Sequence, residues 1–263
     1  MDAIILGDGA LGTAIEMAVR RRGGTARVVG RPAGGRHDPA SLGAAAVVFE
    51  ASRGDAVRAN VDAALAAGCR RFVVGTTGWD ADRAAVDALL RASGGVAVAA
   101  PNLSLGAALF VRLVDAATQL YGALDEFEPY IVEWHRRGKR DRPSGTAVAL
   151  GRTIVARHPR FGRLPGDVRA GDDDAAGARP ADELELAAVR AGSSPGSHLV
   201  GFDAAGETVE LRLTARDRSS YASGALAAAD WLSRAPRAPG IHPFDAVVDE
   251  LLADPDRRLA ATA

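Results

Sequence analysis

The sequence predicts an α/β protein in two parts, a doubly wound parallel sheet first and an open mixed sheet second. Three observations carry this reading. Short apolar runs alternate with helical patterns through the N-terminal part of the chain. A glycine loop, Gly7-Asp8-Gly9-Ala10-Leu11-Gly12, stands directly after the first of those runs. Beyond Pro101 the rhythm changes, and period-two alternation replaces continuous apolar strands.

The elements follow in order. Strands are predicted at Ala3–Leu6, Arg27–Val29, Ala46–Glu50, Arg71–Val74 and Val96–Ala99. Alanine-rich stretches of helical period separate them, clearest at Leu11–Arg21, Ala56–Ala67 and Ala81–Ala92. Unbroken apolar strands alternating with helices indicate a parallel sheet covered on both faces. A long helix is then expected over Gly106–Leu120, a strand over Glu126–Glu133, a charged loop, and a helix opened by Ser144 and running toward Ala156. Leu164–Asp182 is rich in Gly, Pro and Asp and reads as loop, with Asp172-Asp173-Asp174 as a solvated acidic run. Strands near Glu185–Arg190, His198–Phe202 and Glu210–Thr214 come next, and helices over Tyr221–Ser233 and Phe244–Leu252 close the chain.

Composition excludes several classes. With 263 residues, 48% hydrophobic, the chain can bury a core in two modest domains. A net charge of −1 gives no footprint for nucleic acid or a membrane surface. Charges break every apolar stretch well short of a spanning length, so no transmembrane helix is expected. Cys69 is the single cysteine, which excludes an internal disulfide and a cysteine-based metal cluster; no metal is expected. These limits fit a cytoplasmic, cofactor-using enzyme.

The glycine loop has the GxGxxG form. Its first glycine allows the tight turn, its second lets backbone approach a pyrophosphate, and its third allows close helix–strand packing. With a strand before it and a helix after it, the loop marks a dinucleotide-binding Rossmann domain, phosphates resting on the helix N-terminus. The second strand ends in Val28-Val29-Gly30-Arg31, without the carboxylate that would hold the ribose hydroxyls of NAD. Arg31 can pair with the 2′-phosphate of NADP, so NADPH is the expected cofactor and NADH the alternative. Two more turns, Gly75-Thr76-Thr77-Gly78 and Ala100-Pro101-Asn102-Leu103, follow the fourth and fifth strands, at the carboxyl ends where open α/β sheets gather ligands.

The densest chemistry lies in Glu133-Trp134-His135-Arg136-Arg137-Gly138-Lys139-Arg140-Asp141-Arg142-Pro143-Ser144-Gly145-Thr146-Ala147. Lys139 is the one lysine among 32 basic side chains, and lysine, unlike arginine, can be tuned to release a proton. His135 exchanges a proton near neutral pH. Lys139 can donate one if neighbouring Arg136, Arg137 and Arg140 lower its pKa. Ser144, Gly145 and Thr146 form a helix start suited to a carboxylate, and Arg136 can clamp a second carboxylate.

This stretch resembles the dihydrodipicolinate reductase family (4-hydroxy-tetrahydrodipicolinate reductase), whose pattern is approximately E-x-H-H-x-x-K-x-D-x-P-S-G-T-A. The resemblance extends to the glycine loop, Gly75–Trp79, Ala100–Ser104, Gly196-Ser197-His198 with Phe202, and Arg218–Ala225. It implies reduction of dihydrodipicolinate to tetrahydrodipicolinate, in lysine and diaminopimelate biosynthesis, by hydride from the nicotinamide. His135 is then the proton donor/acceptor and Lys139 the second donor, while Ser144, Gly145 and Thr146 bind a substrate carboxylate. Gly75, Thr76, Thr77 and Ala100–Leu103 line the nicotinamide. It also implies a homotetramer joined through the second domain, with residues 1–104 and 219–263 binding nucleotide and 105–218 serving substrate and assembly.

The chain departs from the family pattern in three places. Arg136 replaces the second histidine, Ala10 stands where a basic residue is common, and Glu50-Ala51-Ser52 replaces Asp-Phe-Thr. Two rivals remain: a reductase of another cyclic imine or imino acid, and a non-catalytic NADP-sensing protein. Two proton-bearing residues, His135 and Lys139, speak against the sensor.

Overall fold

The computed structural model describes residues 1–32, 35, 37–167 and 180–253. The chain divides into two compact units, Met1–Leu105 with Arg218–Ala263, and Gly106–Asp217. The first contains β1 (Asp2–Leu6), α1 (Ala10–Arg21), β2 (Thr25–Val29), α2 (Pro39–Leu42), β3 (Val47–Glu50), α3 (Val57–Ala66), β4 (Arg71–Val74), α4 (Arg83–Ser93) and β5 (Val96–Ala99). The chain continues through α5 (Leu105–Tyr121), β6 (Glu128–His135), α6 (Gly145–Arg157), β7 (Glu185–Arg190), β8 (Ser197–Ala204) and β9 (Glu207–Thr214). It then returns to the first unit as α7 (Ser219–Arg234), β10 (Gly240–Pro243) and α8 (Phe244–Ala253).

Six parallel strands in the order β10-β5-β4-β3-β1-β2 form the first sheet. Its inner strands bury almost every residue, as a sheet covered on both faces must. Alternate side chains Ile4, Leu6, Val48, Phe72 and Val74 join Val57, Val61, Val86 and Leu90 of α3 and α4 in one core. On the other helical layer α1 packs against α7, and Arg22 Nη1 lies 2.9 Å from Asp230 Oδ2. Strand order reverses between β1 and β3, which opens a crevice at their carboxyl ends.

The predicted strands and long helices of this unit all form, with ends shifted by a few residues at most. Two elements were not anticipated. Asp38 caps the short α2 by accepting from Ala40 N at 3.1 Å, a contact too local to give periodicity. β10 supplies the sixth strand from Gly-Ile-His-Pro, a run with one strong strand former. Its pairing with β5 is held by Asp87 Oδ1, which accepts from Ile241 N at 2.8 Å.

In the second unit the order is β7-β6-β8-β9, with β7 parallel to β6 and the other pairs antiparallel. The open mixed sheet expected from sequence is therefore present. Phe110 and Val114 of α5 and Leu150 and Ile154 of α6 cover one face, packing on Ile131, Val200 and Phe202. The opposite face leaves Val132, Trp134 and Val189 exposed. β6 runs two residues further than predicted, which takes His135 out of the expected loop and onto the strand. Period-two alternation then turns Ile131, Glu133 and His135 inward together. The acidic run at 172–174 lies outside the described residues. Among the described residues no helix is long and apolar enough to cross a membrane.

One close approach in the first unit is exacting. A Cβ on Gly224 of α7 would lie 1.6 Å from Leu103 O and 3.1 Å from Phe244 Cζ. Gly224→Ala is expected to force α7 away from that turn and cost about 3 kcal/mol. An unchanged urea midpoint would contradict this packing.

Candidate active site

In the first unit, the glycine loop forms one wall of a cleft of about 280 Å³ at the carboxyl ends of β1, β2 and β3. Gly7 adopts φ +117°, and a Cβ there would lie 2.4 Å from Ala51 O. A Cβ on Gly12 would sit 2.0 Å from Gly7 O, so helix and loop touch through these two glycines. A Cβ on Gly9 would meet nothing within 4 Å; this side of the loop is open. Gly9 begins α1 without a side-chain cap, and the first turn carries no acidic residue. Uncapped amides beside open space fit a pyrophosphate. Asp8 and Arg31 border the same cleft, and so does Arg53, whose Nη2 lies 3.1 Å from Asp55 Oδ2. Ala10 is exposed.

Other turns expected to hold cofactor meet the loop. A Cβ on Gly75 would lie 3.0 Å from Leu11 Cδ2 and 3.2 Å from Leu103 Cδ1, so three predicted segments converge there. Thr76 is buried and Thr77 exposed. Ala100 N donates to Val74 O at 3.3 Å, Pro101 is exposed, and Asn102 Oδ1 accepts from Ser104 N at 2.9 Å.

In the second unit, a fully buried carboxylate organises the segment around His135. Glu133 Oε1 accepts from Arg190 Nη2 at 2.6 Å and from Ser144 N at 3.0 Å. Glu133 Oε2 lies 2.6 Å from His135 Nδ1, a close approach without an aligned hydrogen bond. Burial pushes the Glu133 carboxyl upward, but Arg190 and Ser144 outweigh it, and the net direction is down. His135 is held below its ordinary value, first by burial, with Lys139 and Arg190 adding to it against Glu133.

Register brings the partners in. Glu133 pairs across the sheet with His198 of β8, and His135 with Arg190 of β7. The His135 and His198 rings meet edge to face at 5.1 Å. Ser144 Oγ accepts from Ala147 N at 3.2 Å and lies 3.0 Å from His198 Nε2. Ser144 Oγ and His198 Nε2 share a hydrogen bond whose direction follows the tautomer of the ring. Burial, with the charge of His135 second, pushes His198 down to about 4. The hydroxyl of Ser144 is thus engaged inside the protein as the cap of α6. Glu133, His135 and His198 place one ligand atom each within 4.8 Å. A cation there would face the nearby charges of Arg190 and Lys139.

Lys139 pairs with a carboxylate two residues on. Arg136, Arg137 and Arg140 are exposed, and the charge nearest the ammonium is a carboxylate: Lys139 Nζ lies 2.8 Å from Asp141. Burial raises the Asp141 carboxyl, yet Lys139 and the Gly145 amide outweigh this and bring it down. Gly145 and Thr146 form the first turn of α6, beside that pair.

Residues 106–247 match the family model described as dihydrodipicolinate reductase, C-terminus. This chain belongs to the dihydrodipicolinate reductase family. It is 36% identical over 190 residues to the 4-hydroxy-tetrahydrodipicolinate reductase of Wolinella succinogenes, covering 72% of this chain and 71% of that one. To the Myxococcus xanthus enzyme of the same name it is 38% identical over 172 residues, covering 65% of this chain and 60% of the relative's length. The dipicolinate-bound dihydrodipicolinate reductase from Paenisporosarcina sp. TG-14 shares the fold, with TM-score 0.68 at 19% identity over 92% of this chain and 97% of that one.

Within this dihydrodipicolinate reductase family member, Arg190 was not singled out from sequence, and Asp141 and His198 only as parts of motifs. Inward alternation of Glu133 and His135 was the available signal; it shows that two polar groups are buried and need partners, without naming them.

A buried neutral histidine has a consequence for stability. Between pH 6.5 and about 4 the unfolded chain binds a proton at His198 that the folded chain refuses, so stability falls as pH drops through that window. The contribution reaches about 3 kcal/mol. Urea midpoints measured across this range should show the fall, and His198→Gln should flatten it; an unaltered slope in the variant would contradict the assignment.

Proposed function

We propose that the protein reduces 4-hydroxy-tetrahydrodipicolinate (dihydrodipicolinate) to tetrahydrodipicolinate in lysine and diaminopimelate biosynthesis, with NADPH as cofactor and NADH as alternative. The observation that carries this reading is the Glu133-centred arrangement. In a chain of this family it sets a neutral histidine, a paired lysine and the start of α6 within one short segment. When bound, the reduced nicotinamide supplies a hydride to an electron-poor cyclic imine. Gly7, Gly9 and the amides of α1 hold the pyrophosphate, and Arg31, exposed on the cleft, takes the 2′-phosphate. Gly75, Thr76, Thr77 and the Ala100–Leu103 turn border the nicotinamide.

On the substrate side, the first-turn amides of α6 at Gly145 and Thr146 receive one carboxylate, and Arg136 the other. Ser144 contributes by fixing that turn. Lys139, held by Asp141, keeps a proton on Nζ for the reduced ring. His135, with Nδ1 turned toward Glu133, exchanges its proton through Nε2. The exposed Val132, Trp134 and Val189 supply an apolar patch through which copies of the chain would assemble, the homotetramer expected from the resemblance. Such a biosynthetic enzyme would work in the cytoplasm.

Arg136 in place of the family's second histidine favours one rival, a reductase of a related cyclic imine. NADPH oxidation with substrate generated in situ by the preceding synthase separates the two. Saturable turnover supports the lysine-pathway reading, and Lys139→Ala should then lower kcat by about 10²-fold with NADPH affinity unchanged. Intact NADPH binding without turnover would move the assignment to another imine, and an unaffected kcat would remove Lys139 from the mechanism.

A further inference from the structure

Glu50 ends β3 and is 1% exposed. Among the described residues it forms no ion pair; neutral groups alone meet its carboxylate. Ser52 donates from its hydroxyl to Oε1 in a very close contact and from its backbone N to Oε2 at 3.3 Å. Asn60 Nδ2 donates to Oε1 at 3.2 Å. Thr76 Oγ1 lies 3.4 Å from Oε2 and 3.3 Å from Glu50 O. The second Asn60 hydrogen reaches Ser52 Oγ at 3.1 Å. Three donors aimed at the carboxylate stabilise its ionised form. Burial still pushes this carboxyl above its ordinary range, against the pull of Ser52, Asn60 and Thr76.

Among the described residues no cation pairs with this charge, at the carboxyl end of the sheet. Through Thr76 it touches the turn where Gly75 packs on Leu11 and Leu103. A buried charge of this kind lowers the energy of positive charge placed near it. A reduced nicotinamide is neutral; after two electrons and one proton pass together to the acceptor, the ring keeps a single positive charge.

We propose that Glu50 is an electrostatic selector for the oxidised nicotinamide, binding the cationic form more tightly than the neutral one and so favouring hydride release. This rests on the assignment of the Gly75–Thr77 turn to the nicotinamide. If Glu50 only ties three turns together, its loss weakens both redox forms alike.

Calorimetric titration of the full chain with NADP+ and with NADPH, without substrate, distinguishes the two. Glu50→Gln should weaken NADP+ by about fivefold or more relative to NADPH. Glu50→Asp, which keeps the charge, should hold the wild-type ratio within about twofold. Equal weakening of both cofactors by Glu50→Gln, or loss of the ratio in Glu50→Asp, overturns the selector; the second readout stands whether or not the glutamine variant folds. If the wild type binds neither cofactor, the nucleotide assignment itself falls, and the selector with it.

Discussion

A carboxylate with no exposed surface must be compensated from within the protein, and Glu133 is compensated from two directions. Arg190 reaches it from β7 and the Ser144 amide from the start of α6, with the His135 ring of its own strand 2.6 Å away. Removing either would leave charge or a polar group buried without a partner, at a cost of several kcal/mol. That cost fixes where the charged segment 136–143 leaves β6 and where it enters α6. Lys139 and Asp141 are carried on that segment, and Asp141 O is tied back to Arg190 Nη2 at 2.6 Å. One ion pair thus sets the position of the proposed proton donors and of the helix start for the substrate carboxylate.

Neutral histidines belong to the same economy of charge. Arg190 and Lys139 already supply the positive charge that Glu133 and Asp141 require. Protonating His198 or His135 would add an excess in a buried place, and both rings are held below their ordinary range. In the first unit the balance runs the other way. Glu50 is buried among neutral donors and leaves a negative charge at the end of the parallel sheet. Two buried carboxylates, one paired with Arg190 and one met by neutral donors, suit two tasks: fixing a loop and, as proposed, attracting a cationic ring.

Short-range constraints were the legible ones. Gly12 is demanded by Gly7 within the loop, and Gly7 by Ala51 after β3; their spacing, with a strand before and a helix after, identified the turn. Ser144 read as a cap because serine before Gly-Thr-Ala satisfies an amide three residues on. Long-range partners were hidden. Arg190 and His198 reach Glu133 and Ser144 through strand register, from 57 and 54 residues away, and no local pattern encodes that pairing. β10 was missed for the same reason, since its strand character comes from β5 and Asp87. Around Lys139 the adjacent arginines are exposed and Asp141 takes the ammonium, a pairing that side-chain direction sets and adjacency in the chain does not.

The most direct test of this account is steady-state turnover of Glu133→Gln, with NADPH affinity measured on the same protein. The change removes one charge and little volume, leaving Arg190 buried against an amide. In this variant kcat should fall by about 10²-fold or more while NADPH binding is retained. Turnover at the wild-type rate would show that the buried carboxylate does not organise the site.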